Sequence, residues 1–233
     1  MYKIAKRILD LLLATIALIL LSPILIPVCL ALRLTAEGYV FYFQKRIGLK
    51  NRKFDIWKFA TMLKDSPNIG TGTITLRNDP RVTPVGKYLR KSKLNELPQI
   101  FNVLIGDMSI VGPRPLDDRA FSYYPTIAQE RVYNMKPGIT GVGSIVFRDE
   151  ERIISASGED PHEFYRKNIA PYKGALELWY QEHASFGIDL LIIFLTAWAI
   201  LFPGSQLHFR LLKGLPPKPV ILKDKKPIEE GAH

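Results

Sequence analysis

From Leu11 to Leu32 the chain carries no charged residue, and a helix of that length just covers the hydrocarbon core of a bilayer, which takes about 20 apolar residues. A run this apolar has to span a membrane, lie within one, or be buried in protein. Ser22-Pro23 and Pro27 stand inside it. Each proline lacks a backbone donor and crowds the turn before it, so a break is expected at Ser22 and Pro23. In lipid the carbonyl freed there needs a partner, and the Ser22 hydroxyl can supply one. Positive charge lies on both sides, with Lys3, Lys6 and Arg7 before the run and Arg33, Lys45, Arg46 and Lys50 after it, so the positive-inside tendency assigns no orientation to a simple crossing. A helix that enters one leaflet, breaks near Ser22-Pro23 and returns satisfies both features and is preferred over a spanning helix. The prolines, and the want of a small-residue site after the run, argue against a cleaved signal peptide.

At 233 residues the chain fits one domain with a membrane element, and a hydrophobic content of 47% is enough for a core. The net charge of +10 fits nucleic acid, anionic lipid or a phosphorylated substrate. The cations are spread along the chain with no RNA- or DNA-binding signature, which places nucleic acid behind the other two. The single cysteine, Cys29, lies in the apolar run and implies no disulfide.

Tyr39 to Phe59 alternates aromatic and basic residues around turn signals at Gly48 and Lys50-Asn51 and predicts a hairpin of two short strands. Lys64 to Arg81 reads as a polar loop whose mobility bears on substrate entry. Helices are predicted over Pro84–Arg90, Leu94–Leu104, Tyr124–Asn134 and Asp160–Ala184. Ile188 to Phe202 is a second apolar stretch, too short to span; it reads as an interfacial helix with Trp198 at the headgroups, a core helix being the alternative. The composition then shifts to Pro216-Pro217-Lys218-Pro219 and a lysine-rich end, a flexible basic tail by its make-up. The organisation is α+β: a re-entrant membrane helix-break-helix over 1–35, a small cytoplasmic domain over 36–203 with a short β-hairpin and interfacial helices, and a tail over 204–233.

A block of motifs carries the chemistry. Lys93-Leu94-Asn95-Glu96-Leu97-Pro98-Gln99 leads into Gly106-Asp107-Met108-Ser109 and Val111-Gly112-Pro113-Arg114-Pro115, placing a carboxylate and the cations Arg90 and Arg114 in one short stretch. With Phe43-Gln44-Lys45-Arg46-Ile47-Gly48, Trp57-Lys58-Phe59-Ala60-Thr61-Met62, Asp79-Pro80-Arg81-Val82-Thr83-Pro84-Val85-Gly86 and Lys136-Pro137-Gly138-Ile139-Thr140-Gly141, it resembles the bacterial monotopic phosphoglycosyl transferases from about residue 2 to 203. The resemblance implies transfer of a sugar phosphate from a nucleotide diphosphate sugar, a uridine diphosphate sugar here, to polyprenyl phosphate at the cytoplasmic face of the bacterial inner membrane, opening the assembly of a membrane-linked glycan. It also implies the re-entrant helix. The implied partners are polyprenyl phosphate, the nucleotide diphosphate sugar and membrane lipid, without nucleic acid; a homodimer is left open.

In that family an aspartate before the Glu-Leu-Pro-Gln run attacks the phosphorus bound to the sugar, and here the position holds Asn95. An amide nitrogen is delocalised into its carbonyl and cannot ionise, so Asn95 does not form the usual acyl phosphate. Three readings remain: Glu96 acts as nucleophile from the next position, the polyprenyl phosphate attacks the donor directly, or the chain is inactive and serves as a scaffold. A diphosphate whose transferring group develops charge needs cations around it, usually a divalent metal with Lys or Arg. Magnesium is the expected ion, with oxygens from Asn95 and Glu96 and several retained waters, while Lys58 and Arg90 match positions that the resemblance links to phosphate. Arg114 either binds phosphate or pairs with Asp107. Gly138 and Thr140 lie in a loop that is either a tight turn or an anion site, which the resemblance places near the nucleotide. Glu177 stands where the family usually has aspartate, and Val142 to Glu151 departs from the usual segment, which leaves nucleotide and sugar specificity open. The four histidines are scattered and read as structural or solvated.

Overall fold

A computed structural model describes residues 2–35, 38–66 and 79–222. They fall into two compact units, one formed by 1–46 and 53–110, the other by 47–52 and 111–233.

The first unit opens on helix α1, Tyr2–Leu34, 33 residues long and so about 50 Å from end to end at 1.5 Å per residue. The helix runs on through Ser22-Pro23 and Pro27, where an interruption is expected. The local compensation is visible: Pro23 has no N–H for the Ile19 carbonyl four residues back, and the Ser22 hydroxyl donates to that oxygen instead at 2.7 Å. The apolar run also hides a seam. Ala14, Leu25 and Leu32 are buried and Leu18, Leu21, Val28 and Cys29 partly so, a spacing of three and four that keeps one face toward a partner. The rest of the helix presents Ile8, Leu12, Ile16, Ile19, Leu20, Ile26 and Leu30 outward.

The seam is met by the remainder of the unit. Strands β1 (Phe41–Ile47) and β2 (Lys53–Phe59) form the expected hairpin, turning at Lys50 and Asn51 with φ of 55° and 57°. Helix α2, Pro84–Lys91, starts where the Thr83 hydroxyl accepts the Gly86 N–H at 3.0 Å. Leu25 and Leu32 of α1, Phe59 of β2 and Leu89 of α2 share one cluster. The helix expected over Leu94–Leu104 is divided: a 3₁₀ turn spans Leu94–Glu96 and α3 runs Gln99–Ile105. The divider is Pro98, which has no N–H for the Leu94 carbonyl, and that oxygen takes the Leu97 N–H at 3.1 Å. The buried Asn102 amide fixes α3 to β2, accepting from the Trp57 N–H at 2.9 Å and donating to the Asp55 carbonyl at 2.8 Å.

Two charged side chains near the start of α1 complete the docking. The Arg7 guanidinium donates to the Val103 and Leu104 carbonyls at 2.6 and 2.9 Å, in the last turn of α3, where carbonyls outnumber helical donors. Asp10, 3% exposed, accepts the Ser109 hydroxyl and the Ile110 N–H, both at 2.9 Å. A buried Asp79–Arg81 pair, with Arg81 also donating to the Ser66 carbonyl at 2.7 Å, joins the two ends of the loop over Lys64–Arg81; residues 67–78 of that loop lie outside the described residues.

Strand β3, Ser109–Val111, carries the chain into the second unit. There it continues through α4 (Asp118–Ser122), α5 (Thr126–Arg131), β4 (Gly138–Thr140), α6 (Val142–Val146), α7 (Glu150–Ser155) and α8 (Pro161–Phe164). A π-helical turn over Tyr165–Ile169 precedes α9 (Ala170–His183), and α10 (Phe186–Leu201) and α11 (Leu207–Leu211) follow. The expected 160–184 helix is therefore helical from Pro161 to His183 but underwound over Tyr165–Ile169. In α10 Asp189, Ile192, Leu195 and Ala199 are buried while Phe186, Leu190, Phe194 and Leu201 face outward, so both faces are apolar. Past Gly204, where composition reads as tail, the chain packs as far as residue 222: Leu212 and Leu222 are buried and the Pro216 carbonyl accepts the Tyr172 hydroxyl at 3.0 Å. The lysine-rich end, 223–233, lies outside the described residues.

The seam makes a direct prediction. Leu32→Ala, at a fully buried position, destabilises the detergent-solubilised protein by about 2–5 kcal/mol. Leu30→Ala, two residues away at 58% exposure, changes it by less than about 1 kcal/mol. Equal losses in thermal unfolding would contradict the docked arrangement.

Candidate functional site

In the first unit the site is built on a turn. The Lys93 N–H donates to the Arg90 carbonyl at 3.1 Å and the Glu96 N–H to the Lys93 carbonyl at 3.2 Å, so the chain passes from Arg90 to Glu96 without a loose residue. Lys93 takes φ 59°, ψ 10°, a left-handed conformation that costs a non-glycine residue about 1 kcal/mol or more. The strained residue turns the chain so that Asn95 and Glu96 follow directly. The turn packs against both β2, which carries Lys58, and α2, which carries Arg90. On either side of the two polar residues, Leu94 and Leu97 pack on the cluster that contains Leu25 and Leu32 of α1. Lys58, Arg90, Asn95 and Glu96 thus belong to elements packed together, with the membrane helix as their floor.

Asn95 and Glu96 differ in surroundings. Asn95 is 8% exposed and its Oδ1 is buried without a hydrogen-bond partner, which native proteins tolerate at few places, chiefly where a ligand, ion or water completes the bond. Glu96 is half-buried. No group of three or more His, Cys, Asp or Glu gathers among the described residues, which excludes a cage of protein ligands there. Magnesium does not need one, since it keeps waters and shares substrate phosphates through one or two protein oxygens. The unpartnered Asn95 oxygen, with the Glu96 carboxylate at the next position in sequence, fits that requirement in ligand type.

The remaining predicted residues lie in the second unit. Gly112, Gly138 and Gly141 bring three backbone segments into contact: a Cβ on Gly138 would stand 2.1 Å from the Gly112 nitrogen, and one on Gly141 2.2 Å from the Gly112 oxygen. The Gly138 N–H donates to the Pro113 carbonyl at 2.9 Å, and the Thr140 carbonyl accepts the Gly112 N–H at 2.9 Å. The Thr140 hydroxyl hydrogen-bonds that of Thr196 at 2.6 Å. These groups hold the 112–115 and 137–141 motifs to one another. Arg114 is fixed through its backbone, its carbonyl accepting the Tyr133 hydroxyl at 2.7 Å and its N–H reaching Glu177 Oε1 at 3.4 Å.

Glu177, 1% exposed, sits beneath this junction. A Cβ on Gly143 would come within 2.4 Å of Glu177 Oε1, and Oε2 is buried without a partner. Burial raises its pKa to about 7, opposed by the Arg114 N–H and by the charges of Lys173 and Arg114. Lys173, one turn earlier on α9, is itself buried, pairs with Glu150 and lies over the rings of Phe147 and Tyr165 at 5.6 Å each. Lys173, Glu150 and Gly143 were not legible as site residues in sequence; the four-residue step from Lys173 to Glu177 on a predicted helix was the available signal. Ser22 and Pro23 lie within α1, apart in sequence from both groups.

A pH dependence follows from Glu177. Its folded pKa lies above the ordinary 4.5, so the folded state holds the proton more tightly. The stability present below about pH 4.5 is lost as pH rises to about 7, by about 3 kcal/mol at most. Thermal unfolding at pH 5 and pH 8 will show a larger loss for wild type than for Glu177→Gln; parallel curves would refute the assignment.

Comparison with known proteins places this geometry. A family model for bacterial sugar transferases matches residues 1–203. A protein of Escherichia coli (strain K12), named UDP-glucose:undecaprenyl-phosphate glucose-1-phosphate transferase, is 37% identical over 199 residues, which is 84% of this chain and 40% of that protein. A protein of the same name from Klebsiella pneumoniae is 37% identical over 83% of this chain and 39% of its own length. The exopolysaccharide production protein ExoY of Sinorhizobium fredii is 33% identical over 84% of this chain and 85% of that protein. The chain spans about two fifths of the length of the first two relatives and most of the third. With the match running from the membrane helix to the end of α10, the chain belongs to the bacterial sugar transferase family.

Proposed function

We propose that this protein transfers a sugar phosphate from a uridine diphosphate sugar to polyprenyl phosphate, initiating a membrane-linked glycan at the cytoplasmic face of the bacterial inner membrane. One observation carries the reading: the Asn95-Glu96 turn, with Lys58 and Arg90 on the elements packed against it, rests through Leu94 and Leu97 on the apolar helix α1. A lipid-borne phosphate and a water-soluble diphosphate can meet only at such a level. The relatives' names, which join a uridine diphosphate sugar to undecaprenyl phosphate, support it.

The membrane course of α1 belongs to the same proposal. Its seam is docked from Arg7 to Leu32, so a perpendicular crossing would draw the polar hairpin and α2 into hydrocarbon, at a prohibitive desolvation cost. A helix embedded from one side, bending at Ser22-Pro23, keeps both termini on the cytoplasmic face. The outward apolar side of α10 is a second interfacial contact.

Glu96 is the nucleophile of this mechanism. Its carboxylate attacks the phosphorus attached to the sugar, the bond from that phosphorus to the bridging oxygen breaks, and uridine monophosphate leaves. An oxygen of polyprenyl phosphate then attacks the same phosphorus and expels the carboxylate. In the direct route the lipid phosphate makes the first attack and Glu96 only orients it. Lys58 and Arg90, on the elements packed against the turn, hold the donor's phosphates. Asn95 Oδ1 and Glu96 would hold magnesium, which neutralises diphosphate charge.

A second reading, an inactive homologue acting as scaffold, is favoured by Asn95 itself, a buried amide where an ionisable group is expected. Intact-protein mass spectrometry after mixing with the uridine diphosphate sugar alone separates the routes: a phosphosugar adduct on the peptide bearing Glu96 is expected. Glu96→Gln should lower uridine monophosphate release by about 10²-fold or more. No release from wild type, with turnover gained in Asn95→Asp, would establish the scaffold reading instead.

A further inference from the structure

Arg7 and Asp10 are one turn apart on α1 and reach two places on one stretch of chain. Arg7 holds the carbonyls of Val103 and Leu104, and Asp10 holds the Ser109 hydroxyl and the Ile110 N–H. Between them the chain reverses through Gly106, at φ 97°, where a side chain would be strained. Met108 is fully buried and its N–H returns to the Asn102 carbonyl at 3.1 Å. The two side chains grip both ends of the Ile105–Met108 reversal.

The grip is built where it is expensive. A carboxylate on an otherwise apolar membrane helix pays heavily in desolvation unless fully paired, and a plain alkyl side chain would have served packing alone. Both donors, moreover, converge on one atom, Asp10 Oδ1, and both belong to the strand that leads straight into Gly112-Pro113-Arg114. At the other end the grip reaches α3, whose first turn follows directly from Asn95-Glu96 through Pro98.

We propose that Asp10 is a positioning residue: from helix α1 it sets the register of the segment 99–110, and through α3 that of the Asn95-Glu96 turn that leads into it. The inference rests on the transferase reading for its consequence, though not for its geometry. Since both donors use Oδ1, what matters is the acceptor and not the charge, and Asn at this position keeps the grip while Leu, of similar bulk, orphans a hydroxyl and an amide. Misplacement of reacting groups by about 1 Å lowers turnover by about 10²-fold.

The experiment uses full-length protein in nanodiscs, in both the natural chain and the Asn95→Asp background. It compares Asp10→Asn, Asp10→Leu and Ser109→Ala for kcat, KM and hydrogen exchange of the Ile110 amide. Asp10→Leu should lose about 10²-fold in kcat with a smaller change in KM. Asp10→Asn should stay within about threefold of the parent, and Ile110 should exchange at least about tenfold faster only in the leucine variant. Should Asp10→Leu fail to fold, Ser109→Ala, which removes one donor and orphans nothing, should lower kcat alone. Unchanged kcat in the leucine variant, or equal loss in the asparagine variant, overturns the proposal. Absence of turnover from every protein, parents included, sinks the transferase reading instead, and Ile110 exchange then still decides whether Asp10 holds the strand.

Discussion

Everything in the first unit depends on α1 being docked along one side for its whole length. An apolar helix normally meets lipid all round, and its orientation is set by its ends. Here a seam from Arg7 to Leu32 is taken up by α2, α3, the hairpin and the 94–96 turn, so only the opposite face can be given to hydrocarbon. That division fixes what the helix is for. It supplies the apolar floor on which Leu94 and Leu97 rest, and the polar residues between them stand at the height of that floor, which no tethered domain on a flexible stalk would guarantee.

Buried polar groups separate the parts of the molecule that are finished from those that await something. Asp10, Asn102, Arg81 and Asp189 are buried and fully engaged, the last accepting the Tyr180 hydroxyl at 2.5 Å, and each ties together distant stretches of chain. Asn95 Oδ1 and Glu177 Oε2 are buried with no partner. An orphaned acceptor in a low-dielectric interior carries a penalty of about 1–3 kcal/mol, and such penalties persist where the missing partner is supplied by function. Asn95 and Glu177 fall at positions that the family pattern marks, as do the engaged Arg81 and Asn102, while other unpartnered atoms such as Tyr124 Oη and Gln181 Oε1 lie outside those motifs. Glu177 differs in one respect: wholly buried beneath Gly141 and Gly143, it meets the Arg114 motif through the backbone N–H of Arg114.

Local chemistry was legible in sequence and long-range geometry was not. The hairpin, its turn at Lys50-Asn51, the start of α2 and the Ser22 hydroxyl at a proline-freed carbonyl all follow from groups within four residues of each other. The split of the 94–104 helix was legible in principle, since Pro98 sits inside it, but apolar spacing outweighed the missing donor. The seam on α1 was hidden because every candidate position is apolar, so periodicity carries no contrast. Gly112, Gly138 and Gly141 read as turn formers, and their real task, letting three backbones touch, needs partners that no local pattern reveals. Composition marked 204–233 as tail because prolines and lysines dominate it, while the few residues of 204–222 that pack, Leu212, Pro216 and Leu222, are too sparse to set a pattern.

The departure of residues 142–151 from the family's usual segment now has a physical setting. Val142 to Val146 form a helix against α9, and Gly143 lies over Glu177 so closely that no side chain fits. Glu150, at the start of α7, pairs with Lys173, which is buried between aromatic rings one turn from Glu177. A segment anchored at one end by an ion pair whose lysine is buried, and by a glycine contact at the other, has little freedom to rearrange, because a lysine left buried without its carboxylate is costly. Its shape is therefore fixed by the packing around it. A changed sequence here alters a surface held rigid from both ends, within the second unit alone.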